Sequence, residues 1–300
     1  MGSEETSTQR LNLAQSFNPI GSITGMYIAS TFIQARINEA DTATRSLLSP
    51  EEFEAMKMSD LDILASPYVI IGIVILVMFA IVAAVRMPKN ADQNHKIDLL
   101  PTLKRIFEIP RYREGVVAQF FYVGAQIMCW TFIIHYGTRF FMSQGMGEQD
   151  AEILSQNYNK VAMAIFIVSR FIATFLMRYV KPGKLLMFFA IGGFVSVAGV
   201  ILSQGIMGMY YLVATSAFMS LMFPTIYGIA LKGLGEDAKF GAAGLIMAIL
   251  GGSVMPPLQA VIIEKGTVLS IPAENFSFII PLICFVVIAG YGYRTRTFAH

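Results

Sequence analysis

Long apolar runs recur along the whole chain and constrain its fold more than any other feature. About eight of them are long enough to cross the ~30 Å hydrocarbon core of a bilayer as helices. They cover approximately residues 11–35, 67–86, 115–141, 155–178, 185–204, 209–231, 241–263 and 276–293. These runs lack the alternating pattern of β-barrel strands. The sequence therefore predicts an all-α membrane protein with about eight transmembrane helices.

The composition agrees with this prediction. Only 14% of the 300 residues are charged and 55% are hydrophobic, whereas a soluble domain carries about 25% charged residues. The formal net charge of +2 gives no reason to expect a nucleic-acid partner. Both cysteines, Cys129 and Cys284, lie inside apolar runs. This position indicates free packing thiols rather than a disulfide framework or a metal site.

The charges in the connections predict the orientation in the membrane. Lys and Arg are concentrated in the connection after the second run, after the fourth and sixth runs, and at the end of the chain. The other connections are acidic or uncharged, as in residues 37–66. Because Lys and Arg favour the cytoplasmic side, this distribution predicts an even number of spans with both termini in the cytoplasm.

One long basic connection, residues 87–113, divides the chain. It contains Pro88, Pro101 and Pro110, and its middle reads as a short amphipathic helix at the membrane surface. Two spans precede it and six follow, and a six-span bundle is typical of one half of a two-halved transporter. We therefore predict three parts: residues 1–86 with two spans, the linker 87–113, and the six-span part 114–300.

Polar side chains share a face on several of the predicted spans. The third span is the clearest case, with amides and aromatic rings at helical spacing: Gln119, Tyr122, Gln126 and Trp130. Similar faces occur on the first span (Asn12, Gln15, Asn18, Ser22), the fourth (Asn157, Lys160) and the sixth (Ser216, Ser220, Phe223, Tyr227). Pro19 and Pro224 are expected to disturb the backbone of the first and sixth spans.

These faces favour a binding site for an uncharged polar ligand. A single buried amide also makes an ordinary helix-to-helix hydrogen bond, worth about 0.6 kcal/mol in membranes, and for any one amide both roles remain open. Together, amides suit the hydroxyls of a sugar, and aromatic rings suit its C–H faces. An anionic substrate would favour arginine at depth. Arg170 is expected near the cytoplasmic end of the fourth span, where it would snorkel or clamp the end of a neighbouring helix.

Motifs for catalysis are missing from the sequence. It contains no P-loop, nucleotide fingerprint or nucleophile elbow. We therefore expect a protein that is not an enzyme and needs no cofactor. No Asp or Glu lies deep inside an apolar run, so the chain shows no candidate for a proton-carrying carboxylate.

Four segments resemble one known family. They are "RLNLAQSFNPIGS", "AQFFYVGAQIMCW", "AFMSLMFPTIYGIALKGLGEDAKFGAAGLIM" and "GGSVMPPLQ". In order and spacing, the chain is similar to the L-fucose:proton symporter (fucose permease) branch of the major facilitator superfamily. The resemblance implies twelve spans in two halves around a central sugar site, with transport by alternating access. On that template the chain begins at the fifth span, and we expect it to lack the first four spans and the coupling acids that the family carries there.

The resemblance also implies a set of site residues. Gln15 matches a substrate-contacting glutamine, and Tyr122, Gln126 and Trp130 match a face of the family's seventh span. Phe223 stands where the family has a tyrosine, a difference that removes one hydroxyl. The full set of predicted binding residues is Gln15, Asn18, Tyr122, Gln126, Trp130, Asn157 and Phe223.

The expected function is proton-coupled symport of L-fucose or a related hexose, with the proton as coupling ion. We expect a monomer in the bacterial inner membrane whose partners are a monosaccharide and the lipid bilayer. Two alternatives remain at this stage: a glucose/galactose transporter of the same superfamily, and a non-transporting membrane sugar sensor or subunit. An intramembrane enzyme would need a deep cluster of histidines or acids, which the sequence lacks.

Overall fold

The computed structural model describes residues 6–28, 47–84, 99–203 and 205–297. Seven helical segments in these ranges are long and apolar enough to cross a membrane. This confirms the predicted all-α membrane fold. The remaining predicted span, residues 11–35, extends into residues 29–46, outside the described ranges.

Four helices are described in the first part of the chain. They are α1 (Ser7–Gln15), α2 (Asn18–Ile28), α3 (Pro50–Ala84) and α4 (Leu99–Glu108). The helix is interrupted at Ser16 and Phe17, between α1 and α2. Pro19 lies shortly after this interruption and has no N–H to donate to the carbonyl of Gln15, four residues before it. The predicted disturbance by Pro19 is therefore confirmed.

The six later spans follow without a long connection. They are built from α5 (Pro110–Ser143), α6 (Glu148–Leu176), α7 (Pro182–Leu202), α8 (Ile206–Met219), α9 (Met222–Leu231), α10 (Ala238–Met247), α11 (Gly251–Ile263), α12 (Ala273–Phe276) and α13 (Ile279–Thr295). The sixth predicted span consists of α8 and α9, and the seventh of α10 and α11. A two-residue hairpin, β1 (Thr267–Val268) and β2 (Ile271–Pro272), lies between α11 and α12.

Helix α3 begins much earlier than the sequence pattern predicted. Residues 37–66 were expected to form a connection, yet the helix starts at Pro50. Ser49 and Glu52 explain the start, because the Glu52 N–H donates to the Ser49 hydroxyl oxygen at 3.3 Å. The Glu52 carboxylate in turn accepts from the N–H of Ser49 at 3.0 Å. This capping box, with proline at the first helical position, stabilises a helix start inside a polar segment.

Helix α5 is the central element of the six-span part and packs against α6, α9, α11 and α13. The contact with α11 is very close, because a Cβ atom at Gly251 would overlap the carbonyl oxygen of Phe120. A 3₁₀ turn, Ala248–Leu250, separates α10 from α11 immediately before Gly251. The seventh span is therefore interrupted just before Gly251, and the missing side chain of Gly251 allows the two backbones to approach.

The predicted short helix of the linker is α4. Its residue Ile106 is buried in a small apolar cluster with Tyr112, Ala230 and Leu234. On its other side, Arg105 makes an ion pair with Asp237, which lies in the 3₁₀ turn Gly235–Asp237 between α9 and α10. Helix α4 is thus amphipathic and attached to the six-span part. Residues 87–98 of the predicted linker lie outside the described ranges.

Helix α1 packs on α6 and α9 through polar contacts. The side-chain amide of Asn12 is fully buried and lies 3.3 Å from the Thr225 hydroxyl, and the Gln9 amide donates to the Thr174 carbonyl at 3.1 Å. By its contacts, the chain divides into two compact units, Met1–Pro19 with Asp98–His300, and Ile20–Ile97. The division into 1–86, 87–113 and 114–300 stays a prediction.

Candidate binding site on the helical bundle

Three of the predicted site residues, Gln15, Tyr122 and Phe223, lie around a break in the sixth span, at Ser220 and Leu221 between α8 and α9. Pro224 causes the break, because it has no N–H to donate to the carbonyl of Ser220 four residues earlier. Two side chains from neighbouring helices serve the carbonyls there. The Tyr122 hydroxyl donates to the Met219 carbonyl at 3.1 Å, and the Nε of Arg170 donates to the Ser220 carbonyl.

Three aromatic rings lie beside this break. The ring of Tyr122 is fully buried and meets Phe223 edge-on, with 6.3 Å between the ring centroids. Phe223 is nearly parallel to Tyr227, one turn later on α9, at 6.3 Å and 13°. Phe223 and Tyr227 are both partly exposed. They therefore form an aromatic surface that Tyr122 supports from inside the bundle.

Trp130 lies eight residues after Tyr122 on the same face of α5. Its indole N–H donates to the Ser216 hydroxyl oxygen at 3.2 Å, which fixes the orientation of the ring. The edge of the indole meets Phe166 of α6, with centroids 5.0 Å apart. The guanidinium of Arg170 lies 4.5 Å from the centre of the same Phe166 ring, within the range of a cation–π contact. Trp130 is partly buried.

The amides of the α5 face differ in their surroundings. Gln126 is partly buried and lies between Tyr122 and Trp130. In the described parts of the chain its side chain has no hydrogen-bond partner, so the amide is available. Gln119 is fully buried, and neither of its side-chain polar atoms has a partner among the described residues. The predicted polar face of α5 is therefore enclosed at Gln119 and partly exposed at Gln126.

The structure places the other predicted residues as follows. Gln15 is partly buried at the end of α1, and its backbone carbonyl accepts a hydrogen bond from Arg170 Nη1 at 2.9 Å. Asn18 is exposed at the start of α2. Asn157 is exposed and accepts from Lys160; nine residues of α6, about 13 Å, separate it from Phe166. The fold brings Gln15 close to the break but not Asn157.

Sequence reasoning missed one connection and left the role of one residue open. Phe166 joins Trp130 to Arg170, and the signal for it was the spacing of four residues between Phe166 and Arg170 on one helix face. Arg170 was expected either to snorkel or to clamp a helix end. Its exposed fraction is only 3%, so snorkelling is wrong, whereas the clamp on the end of α8 is confirmed.

Seven membrane-length helices in the described residues, packed into a bundle, define a multi-pass membrane protein. The chain belongs to the Major Facilitator Superfamily, whose family profile matches residues 3–257. Members of this superfamily are transporters, which confirms that the chain is not an enzyme.

Two relatives and one solved structure give the comparison in more detail. The L-fucose-proton symporter of Haemophilus influenzae is 51% identical over 98% of this chain and 68% of its own length. The L-fucose-proton symporter of Escherichia coli is 30% identical over 99% of this chain and 66% of its own length. A crystal structure of the transporter FucP in the outward conformation superposes with a TM-score of 0.81 at 29% identity, covering 99% of this chain and 70% of that one. The chain thus spans about two thirds of the length of these relatives.

Proposed function

We propose that this chain works in a proton-coupled sugar symporter and that its substrate is L-fucose or a related hexose. The observation that carries the proposal is the 51% identity, over 98% of the chain, to a protein named an L-fucose-proton symporter. The side chains that we propose for the ligand are an amide and aromatic rings, which suit a neutral, hydroxyl-rich solute. The donors of Arg170 at the same break are directed to the backbone carbonyls of Gln15 and Ser220.

The proposed sugar site uses Gln126, Trp130 and Phe223. The amide of Gln126 both donates and accepts, as sugar hydroxyls require. The rings of Trp130 and Phe223 offer flat apolar faces for the C–H side of a pyranose. Gln15, Asn18 and Asn157 are further candidates, of which Gln15 has the best support because Arg170 holds its backbone.

Phe223 bears on which sugar is preferred. It supplies an aromatic face but no hydroxyl, so a sugar hydroxyl that a tyrosine would bind has no partner from this position. L-fucose should therefore be compared directly with D-galactose and D-glucose, because the sequence left a glucose/galactose transporter open as an alternative. We further propose a monomer in the bacterial inner membrane with both termini in the cytoplasm, as the distribution of Lys and Arg indicates.

Trp130 makes sugar binding directly measurable, because it is the only tryptophan of the chain. The purified protein is titrated with L-fucose, D-galactose, D-glucose and the open-chain polyol mannitol while tryptophan emission is recorded. We expect a saturable change with one of the three hexoses and none with mannitol. If no hexose changes the emission and none competes with radiolabelled L-fucose, the proposed site is wrong.

Transport is tested separately from binding. The protein, expressed from its complete reading frame, is reconstituted in liposomes with an inward proton gradient. We expect accumulation of the sugar that binds, abolished by a protonophore. Binding without accumulation would instead support the sensor or subunit alternative.

A further inference from the structure

One arginine serves two carbonyl groups that prolines have left without a helical donor. Pro19 cannot donate to the carbonyl of Gln15, and Pro224 cannot donate to that of Ser220, because each carbonyl lies four residues before its proline. Arg170 donates to both, through Nη1 to Gln15 at 2.9 Å and through Nε to Ser220. The same side chain therefore replaces the missing backbone donor at two separate helix breaks.

Arg170 in turn needs these carbonyls. Only 3% of its surface is exposed, and a buried charge is costly unless hydrogen bonds or opposite charges compensate for it. Among the described residues no carboxylate forms an ion pair with Arg170. Its compensation comes from the two carbonyl groups and from the ring of Phe166 at 4.5 Å. The prolines and the arginine are thus complementary parts of one arrangement.

We infer that Arg170 is a positioning residue of the sugar site, a role that rests on the proposed function for its ligand. It fixes the backbone of Gln15 directly and fixes the end of α8 three residues before Phe223. Through Phe166 it also supports the indole of Trp130. Arg170 itself is not required to touch the sugar.

The chemistry explains why arginine occupies this position. The planar guanidinium presents five N–H donors in a fixed fork, so Nε and Nη1 can serve two acceptors in different directions while the plane stacks on an aromatic ring. A lysine ammonium lacks this planar geometry. We therefore expect Arg170→Lys to resemble Arg170→Gln more than the unchanged protein.

The first experiment measures sugar affinity through Trp130 emission and competition binding. Loss of a charged donor from buried carbonyls typically costs enough to weaken binding about tenfold or more, and we expect this for Arg170→Gln. The control is Arg178→Gln, since Arg178 is exposed just beyond the end of the same helix. An unchanged affinity in Arg170→Gln would overturn the inference.

The second experiment returns the missing donor to the backbone. Ser220 and Leu221 keep right-handed helical angles, with φ −57° and ψ −39° for Ser220. An alanine in place of Pro224 would therefore direct its N–H towards the Ser220 carbonyl. We expect Pro224→Ala to recover a large part of the affinity lost in Arg170→Gln. If Arg170 only filled space, Pro224→Ala would not recover the affinity. Failure to recover it would therefore contradict the inference.

A third measurement does not depend on any sugar. The midpoint of thermal unfolding in detergent is compared for the unchanged protein, Arg170→Gln, Pro224→Ala and the double variant. Arg170→Gln should lower the midpoint less when residue 224 is alanine than when it is proline. If the effects of the two changes on the midpoint are additive, the inference fails even if sugar binds. If the effects are coupled but no sugar binds, only the proposed function fails.

Discussion

Arg105 binds Asp237 through two parallel hydrogen bonds, from Nε and Nη2 to the two carboxylate oxygens, both 2.7 Å long. The pair attaches α4 to the turn between the sixth and seventh spans, beside the apolar contact of Ile106. A bidentate pair of this kind is stronger and more directional than a single-contact surface ion pair. The attachment of α4 therefore depends on the negative charge of the Asp237 carboxylate.

This pair predicts a dependence of stability on pH. The hydrogen bond from Arg105 lowers the pKa of Asp237 below the ordinary carboxyl value of 3.8. A carboxyl group whose pKa is lowered by folding contributes stability above its ordinary pKa and loses that contribution as the pH falls through the lowered folded value. We expect the thermal midpoint to fall between pH 5 and pH 3 by less in Asp237→Asn than in the unchanged protein. Equal falls in both proteins would show that the pair contributes nothing.

Gln126 is predicted to be a binding residue. Replacing it by alanine removes amide hydrogen bonds to the sugar and should weaken binding by about 1–3 kcal/mol. The readout is again Trp130 emission, with competition binding as a check. Gln156→Ala is a matched control, because that amide lies on α6 and pairs with Glu152. If the two variants bind equally well, Gln126 has only a packing role.

Gln119 is predicted to behave in the opposite way. Its amide is buried without a hydrogen-bond partner in the described structure, and such a group costs about 1–3 kcal/mol. Gln119→Leu keeps a similar volume and should therefore raise the thermal midpoint without changing sugar affinity. Gln259→Leu is the comparison, since the buried Gln259 amide donates to the Ser277 hydroxyl at 3.0 Å. A lower midpoint for Gln119→Leu would indicate that this amide has a partner in the working protein.

Gly251 is predicted to tolerate no side chain. Gly251→Ala would press a methyl group against the Phe120 carbonyl and force α11 away from α5. Overpacking of this kind costs about 1–3 kcal/mol, so we expect a lower thermal midpoint. Gly290→Ala on α13 is the control, because a Cβ there has open space around it. Equal midpoints for the two variants would mean that the bundle adjusts freely at this crossing.

The sequence was sufficient to predict the seven spans found in the described parts of the chain and both proline-induced breaks, because hydropathy and the missing proline N–H act locally. It was also sufficient to mark the start of α3, where Ser49 and Glu52 stand three residues apart, although this signal was overlooked in a segment rich in acids. The faces of α5 were harder to predict. Gln119 and Gln126 share one side of the helix, and only the neighbouring helices decide that the first is enclosed and the second accessible.

The role of Arg170 was beyond the reach of sequence patterns. Its carbonyl partners lie 155 and 50 residues away along the chain, so no spacing rule connects them. The prolines at 19 and 224 indicated where carbonyls would lack donors, and the structure was needed to show which side chain supplies them.

The polar character of the contact between α1 and the helices α6 and α9 determines how easily α1 can separate from them and return. An apolar seam resists wetting, whereas amides and hydroxyls exchange one partner for water with little net change in free energy. Asn12 and Gln9 meet the bundle through such exchangeable bonds, whereas the bond from the buried Arg170 to the Gln15 carbonyl is costly to lose. Water can therefore replace the contacts of Asn12 and Gln9 reversibly. The apolar core around Phe285, which holds the six spans together, offers no such exchange.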